Sequence, residues 1–511
     1  MSQQHIKCIK INNEEDFCTF VKQFSISSIL KSSYKISREI YVNGCSIEYI
    51  HRQIIVKDDK SGQVFKYKVL IQPWQFPDLI YKSIMYSNDY RGLTDLTENI
   101  FLLVLLETNE YVSSTTNELI KEIHSSLDAS LFMYGFGGEQ FKYQTQISFY
   151  QNLIRELYII FSLTKKHSSI VNPEEIVKQE IGVEWKDLIL VLYGIFIDSL
   201  FHQNINEAIK FITFDSGKNK GEIFNKVIDY YSVDYDSIRN NNSLGRQIFY
   251  VKPFIRTQRG ELLTASVYFN QFIVEHAAFW IIRNYFMNKP KKERQTFTDE
   301  FGRLFEYYLE DLFKSYQIDY KKIPEEKKKE RADWHLKIGK YNILIEQKSS
   351  ILPINIKQQL TDFIVYKKEL HKIIYKALQQ LKKTEEDLSI NKPIKIILCY
   401  DNYINANILP HVFEETDCPV NNDGRYFVSN IMEIEMLIEL ASMNYNLFEI
   451  VIKDMLRRNM DGNGDEGMSL LIIMRDNGYA NNSYWTSPIF DDYKNFLRDI
   501  KNKHEFFRNK M

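Results

Sequence analysis

The stretch Asp333-Trp-His-Leu-Lys-Ile-Gly-Lys-Tyr-Asn-Ile-Leu-Ile-Glu-Gln-Lys348 decides the reading of the chain. Two strand-like runs, 333–338 and 341–349, are separated only by Gly339-Lys340, and a glycine first in a two-residue loop predicts a type II′ hairpin turn. Ile338 then opposes Tyr341, and Asp333 opposes Glu346. Opposed side chains share a face, with Cβ atoms about 4.5–5.5 Å apart. Two bare carboxylates at about 5 Å repel by about 3 kcal/mol at an effective dielectric of about 20, so a cation is expected between them. Lys348, two residues beyond Glu346, points to that same face, while Ile343, Ile345 and Gln347 point to the other.

Upstream, spacings of three and four predict a helix with Thr298 as its cap, Asp299 and Glu300 in its first turn, and an apolar stripe from Phe301 through Phe305, Leu309 and Phe313 to Tyr316. Glu306 lies on the flank of that stripe, where a helix packed on the sheet delivers it toward the hairpin. Residues 321–331 read as a cationic connection, and the run Lys327-Lys328-Lys329 as a solvated loop. Downstream come a long helix, 356–381, and a strand, 394–400, ending at Asp401. Three carboxylates and one ammonium are thus expected around one point. Oxygen-rich clusters suit a hard cation such as Mg2+, and Mg2+ beside a lysine suits phosphodiester hydrolysis.

These residues resemble the PD-(D/E)xK, or restriction-endonuclease-like, nuclease superfamily. The helix acid is Glu306, the aspartate Asp333, and the E-x-K element Glu346-Gln347-Lys348. Ala332 stands where the namesake proline would be. The likeness covers about residues 296–435. It implies an α/β catalytic domain, a mixed sheet flanked by helices. It also implies Mg2+, with Mn2+ as substitute, held by Asp333, Glu346 and the backbone carbonyl of Gln347. Lys348 would position or deprotonate the attacking water, Glu306 would tune the site through a second ion or a water, and Gln380 resembles a glutamine that several subfamilies place nearby. The implied substrate is nucleic acid, DNA ahead of RNA. The layout is similar to bacterial effectors of defence against phage and foreign DNA. The rival reading is a catalytically silent nuclease-fold protein that binds nucleic acid or a protein partner.

The rest of the chain sets bounds. With 511 residues, 44% of them hydrophobic, it can bury more than one core. Lys plus Arg (65) nearly balance Asp plus Glu (67), so any contact with nucleic acid must use a local patch. The 5 cysteines are scattered without a CxxC pair, which disfavours a zinc site or a disulfide framework. No signal-peptide-like or membrane-length apolar run occurs, so a cytoplasmic protein without membrane contact is expected. A break at Asn288–Arg294 divides the chain into 1–290, 291–437 and a helical extension, 438–511. The first part reads as a larger, mainly helical α+β region for sensing, binding or partner contact, including self-association. Within it, residues 35–70 alternate as a small antiparallel sheet with a turn at 58–62, residues 76–238 are mostly helical, and 247–267 are extended. The run Asp461–Glu466 lacks the glycine of a calcium loop, 135–138 and 216–219 fail the phosphate-loop pattern, and His335 reads as packing or surface and stays outside the site.

Overall fold

The computed structural model describes residues 11, 13–43, 50–57, 63–90, 92–120, 124–125, 128–129, 149–168, 171–240, 245–324, 330–349, 363–400, 408–460, 469–479 and 487–504. The expected turn at 58–62, the lysine run at 327–329, Asp401 and the acidic run at 461–466 lie outside them, as does 135–138.

The N-terminal part is a helical assembly carrying two small sheets. Its principal helices are α1 (Ile26–Asn43), α2 (Phe76–Tyr86), α3 (Glu98–Ile120), α4 (Phe149–Leu157), α5 (Pro173–Ile181), α6 (Trp185–Asp198) and α7 (Val267–Met287). Strands β1 (Ile50–Lys57) and β2 (Val64–Ile71) form a two-stranded antiparallel ribbon. Strands β3 (Ser232–Asp234), β4 (Phe254–Arg256) and β5 (Leu262–Thr264) form a three-stranded sheet. Two expectations are corrected here. Ile40 is buried in α1 and Val42 is also helical, because the run 26–43 places Ile26, Ile29, Ile36 and Ile40 on one buried face at helical spacing. Residues Ile248–Val251 are also helical, so extended structure begins only at Phe254.

After α7, the short break Asn288–Pro290 leads directly into α8 (Lys291–Ser315). This helix starts a full two turns before the expected cap. Pro290 takes the N-cap position, and Thr298 lies inside the helix with its hydroxyl donating to the Arg294 carbonyl at 3.2 Å. A five-stranded mixed sheet follows, in the order β10-β9-β8-β7-β6. Its strands are β6 (Asp319–Lys322), β7 (Trp334–Ile338), β8 (Tyr341–Lys348), β9 (Ile394–Cys399) and β10 (Tyr426–Asn430). β6, β7 and β8 are antiparallel neighbours; β8, β9 and β10 run parallel. β6 occupies part of the stretch read from sequence as a loop. Its charged residues lie on an edge strand, where exposure costs little. The crossover between β8 and β9 carries α9 (Phe363–Asp387), and β10 is followed by α10 (Ile431–Met443) and α11 (Tyr445–Met460); α12 (Asp491–Asn502) lies near the C-terminus.

The two faces of this sheet are covered by different helices. Trp334, Leu336, Ile343 and Ile345 pack in one apolar cluster with Phe305, Leu309 and Phe313 of α8. Leu344 and Ile397 pack instead with Ile374, Leu378 and Leu381 of α9. The α8 cluster continues through α4, α6 and α7, so the apolar interior is shared across residue 290. The first α-helices and the β4–β5 hairpin enclose a separate core around Phe24, Phe76 and Phe269.

Candidate active site at the β7–β8 hairpin

The hairpin has the register read from the sequence. Ile338 pairs with Tyr341 and Trp334 with Ile345, and the Asp333 N–H donates to the Ile345 carbonyl at 3.0 Å. Gly339 has φ +58 while Lys340 is not in the left-handed region, which fits a type II′ turn. A side chain at Gly339 would also collide with the Tyr445 hydroxyl of α11.

Strand alternation sends Glu346 and Lys348 to the α9 face, the parity of Leu344. Glu346 is buried and Lys348 largely so. The Lys348 ammonium donates to Glu346 Oε1 at 2.5 Å and to Gln380 Oε1 of α9 at 3.1 Å. Gln380 in turn donates through Nε2 to the Arg331 carbonyl at 3.2 Å. Four residues on, the Thr384 hydroxyl accepts from the Ala332 N–H at 2.7 Å. One turn of α9 thus fixes the backbone leading into Asp333. Asp333 Oδ2 accepts the backbone N–H of Gln347 at 2.7 Å, which points the carboxyl along the hairpin toward Glu346. The Gln347 side chain, on the other face, accepts from the Trp334 indole at 2.9 Å.

The electrostatics follow from burial. Loss of hydration raises the Asp333 carboxyl to about 6, although the Gln347 N–H and Lys348 favour its charged form. Burial raises Glu346 further, to about 8; the Asp333 carboxylate adds to the rise and Lys348 offsets part of it. Glu346 Oε2 is buried and has no hydrogen-bond donor among the described residues. A buried carboxyl oxygen without a donor is costly, and Lys348 is the one cation bonded to the pair among the described residues.

The structure brings Asp333, Glu346, Lys348 and Gln380 together, and it treats Glu306 differently. α8 packs on the opposite face of the sheet, and Glu306 forms an ion pair with Lys322 at the end of β6. Lys322 lies beside Trp334, 6.0 Å from its ring. Glu306 still acts on Asp333 through its charge. Among the described residues, no three His, Cys, Asp or Glu side chains are placed to hold one metal ion. His335 bonds Asn342 at 3.0 Å. Lys322 and Thr384 were not singled out in the sequence. Thr384 lay beyond the expected end of its helix at residue 381, whereas α9 runs to Asp387; Lys322 had no signal, because its strand was read as a loop.

No family model matches the chain, and it matches no curated protein and no solved structure. Among the described residues, no helix is long and apolar enough to cross a membrane.

Proposed function

We propose that this protein is a Mg2+-dependent nuclease of the PD-(D/E)xK kind, hydrolysing phosphodiester bonds in DNA ahead of RNA, in a cytoplasmic defence role against phage or foreign DNA. The observation that carries the reading is Glu346. It is a buried acid set against a second acid, with an oxygen that no donor reaches and a single lysine beside it among the described residues. For packing alone an apolar residue would serve better there, since a buried, incompletely paired acid is costly. The order helix, three-stranded antiparallel meander, helix, parallel strand also resembles the restriction-endonuclease-like core.

The residues fit a hard cation. Mg2+ commonly binds through one or two carboxylates while keeping water and phosphate oxygens as its other ligands, so Asp333 and Glu346, with the Gln347 carbonyl, form a sufficient set. When bound, Mg2+ supplies Lewis-acid charge and an acidified water. The chain does the rest. Lys348, held between Glu346 and Gln380, presents an ammonium to the phosphate and orients the attacking water. Gln380 holds the Arg331 carbonyl and Thr384 the Ala332 N–H, the backbone that leads into Asp333, and Glu306 acts from the rim.

The test is incubation of the purified protein with plasmid, linear and single-stranded DNA and with RNA, in Mg2+, Mn2+ or EDTA. Cleavage in Mg2+ is expected, with loss of about 100-fold or more in Asp333→Ala and Lys348→Ala. Cleavage that persists in EDTA or in Asp333→Ala overturns the metal mechanism. The Glu306–Lys322 ion pair favours a second reading, a silent nuclease fold that binds nucleic acid or a protein partner, because it occupies the third acid. Tight nucleic-acid binding without cleavage under every metal condition would select it.

A further inference from the structure

The β1–β2 ribbon lies apart from the hairpin site and carries its own surface. Of the 12 large hydrophobic residues that are exposed among the described residues, 5 belong to it: Ile55, Val64, Phe65, Tyr67 and Leu70. Such clustering marks an interaction surface. On β2, Val64–Lys68 are exposed on both faces, while Val69 and Ile71 turn into the core. Phe65 and Tyr67 stand side by side with ring centroids 6.3 Å apart and planes 22° apart, at 41% and 52% exposure. Lys66 and Lys68 alternate with them, on the opposite face of the strand, and form no ion pair among the described residues. Neither strand contains an Asp or Glu.

The edges of the ribbon differ. On β1, the Ile55 N–H donates to Asn99 Oδ1 at 2.8 Å, and Asn99 Nδ2 donates to the Ile55 carbonyl at 3.0 Å, so α3 covers that edge. The outer edge of β2 pairs with no strand among the described residues. A second copy of the chain is a poor occupant for it. Antiparallel pairing centred on Lys66, Tyr67 or Lys68 sets lysine against lysine, and like charges directly opposite are destabilising. Edge lysines are a common device against such pairing.

We infer that the β1–β2 ribbon is a binding platform for single-stranded nucleic acid, with Phe65 and Tyr67 stacking bases on one face and the long side chains of Lys66 and Lys68 reaching phosphates past the open edge from the other. Alternating aromatic and cationic residues on a projecting strand supply the two terms that sequence-tolerant single-strand binding needs, base stacking and phosphate neutralisation. The choice of nucleic acid over an acidic protein rests in part on the nuclease reading.

The test uses the full chain in EDTA, so that cleavage plays no part, with fluorescence anisotropy of labelled single-stranded DNA and RNA 20-mers, the corresponding duplex, and polyglutamate as competitor. Phe65→Ala with Tyr67→Ala is expected to weaken single-strand binding by about tenfold or more. Phe65→Tyr should leave it nearly unchanged. Lys66→Glu with Lys68→Glu should weaken it and lower the salt slope by about one to two. DNA bound more tightly than RNA, or the reverse, identifies the strand chemistry. Equal binding by all variants, preference for the duplex, or displacement by polyglutamate as effective as by oligonucleotide overturns the inference. Cleavage in Mg2+, measured separately on the same variants and on Glu346→Gln, reports on the hairpin site alone, so either reading can fail without the other.

Discussion

At the scale of single residues, the candidate site is defined by an imbalance of charge. Glu346 is 2% exposed, and its acid form is favoured up to about pH 8. Between the ordinary carboxyl range and that value, the folded protein holds a proton that the unfolded chain has released, so stability falls as pH rises through this window. Glu346→Gln removes the titration. Urea unfolding in EDTA should show the variant on the order of 2 kcal/mol more stable than the parent at about pH 9 and little different at about pH 4. Parallel stability curves for the two proteins would contradict the assignment. The same protons compete with a metal. Mg2+ affinity measured by calorimetry should therefore fall as pH is lowered from about 8.5 to about 6, as Glu346 and then Asp333 take up protons, and Glu346→Gln should lose most of it. The Glu306–Lys322 ion pair predicts a smaller effect for Glu306→Gln, since that acid acts from outside the Asp333–Glu346 pair.

At the scale of elements, the hairpin and α9 do different work. The hairpin sets which residues share a face, and α9 fixes where the face begins. Thr384→Val keeps the shape but removes the acceptor for the Ala332 N–H, which is buried. A loss of about 1–3 kcal/mol is expected, with reduced Mg2+ affinity because Asp333 follows directly; unchanged melting and metal binding would show that α9 does not position the site. The hairpin was legible in the sequence because two strands separated by Gly339-Lys340 admit one register, and that register fixes Asp333, Glu346 and Lys348 together. Gln380 was reachable only through the family resemblance. Its contact with Lys348 joins residues 32 positions apart, and no local pattern encodes such a distance. Glu306 could be placed on the flank of its helix, yet its pairing with Lys322 depended on β6, whose exposed, charged residues do not alternate in the manner of a half-buried strand. The misplaced cap at Thr298 and the misread strand around Ile40 have one cause. Short windows of alternation or capping chemistry were outweighed by longer helical periodicity that buries an apolar face.

At the scale of the molecule, the sheet is tied to the N-terminal helices by more than apolar contact. Arg155 of α4 donates from Nε and Nη2 to the Glu435 carboxylate of α10 at 2.5 and 2.7 Å, and Tyr308 of α8 bonds the same carboxylate. Both charged side chains are buried. Arg155→Met leaves Glu435 buried with the Tyr308 hydroxyl but no Arg155 counter-charge, with an expected cost of about 3–5 kcal/mol. Because this pair and the apolar cluster both cross residue 290, calorimetry of the full chain should show the regions on either side melting together; a separate early transition that spares the sheet would show them to be independent. If Asp333 and Glu346 share one divalent cation, anomalous diffraction from crystals soaked in Mn2+ should show a manganese peak within about 2.3 Å of a carboxylate oxygen from each residue, absent in Glu346→Gln crystals. A well-ordered hairpin with no peak there, or with Lys348 alone between the two acids at saturating Mn2+, would contradict it.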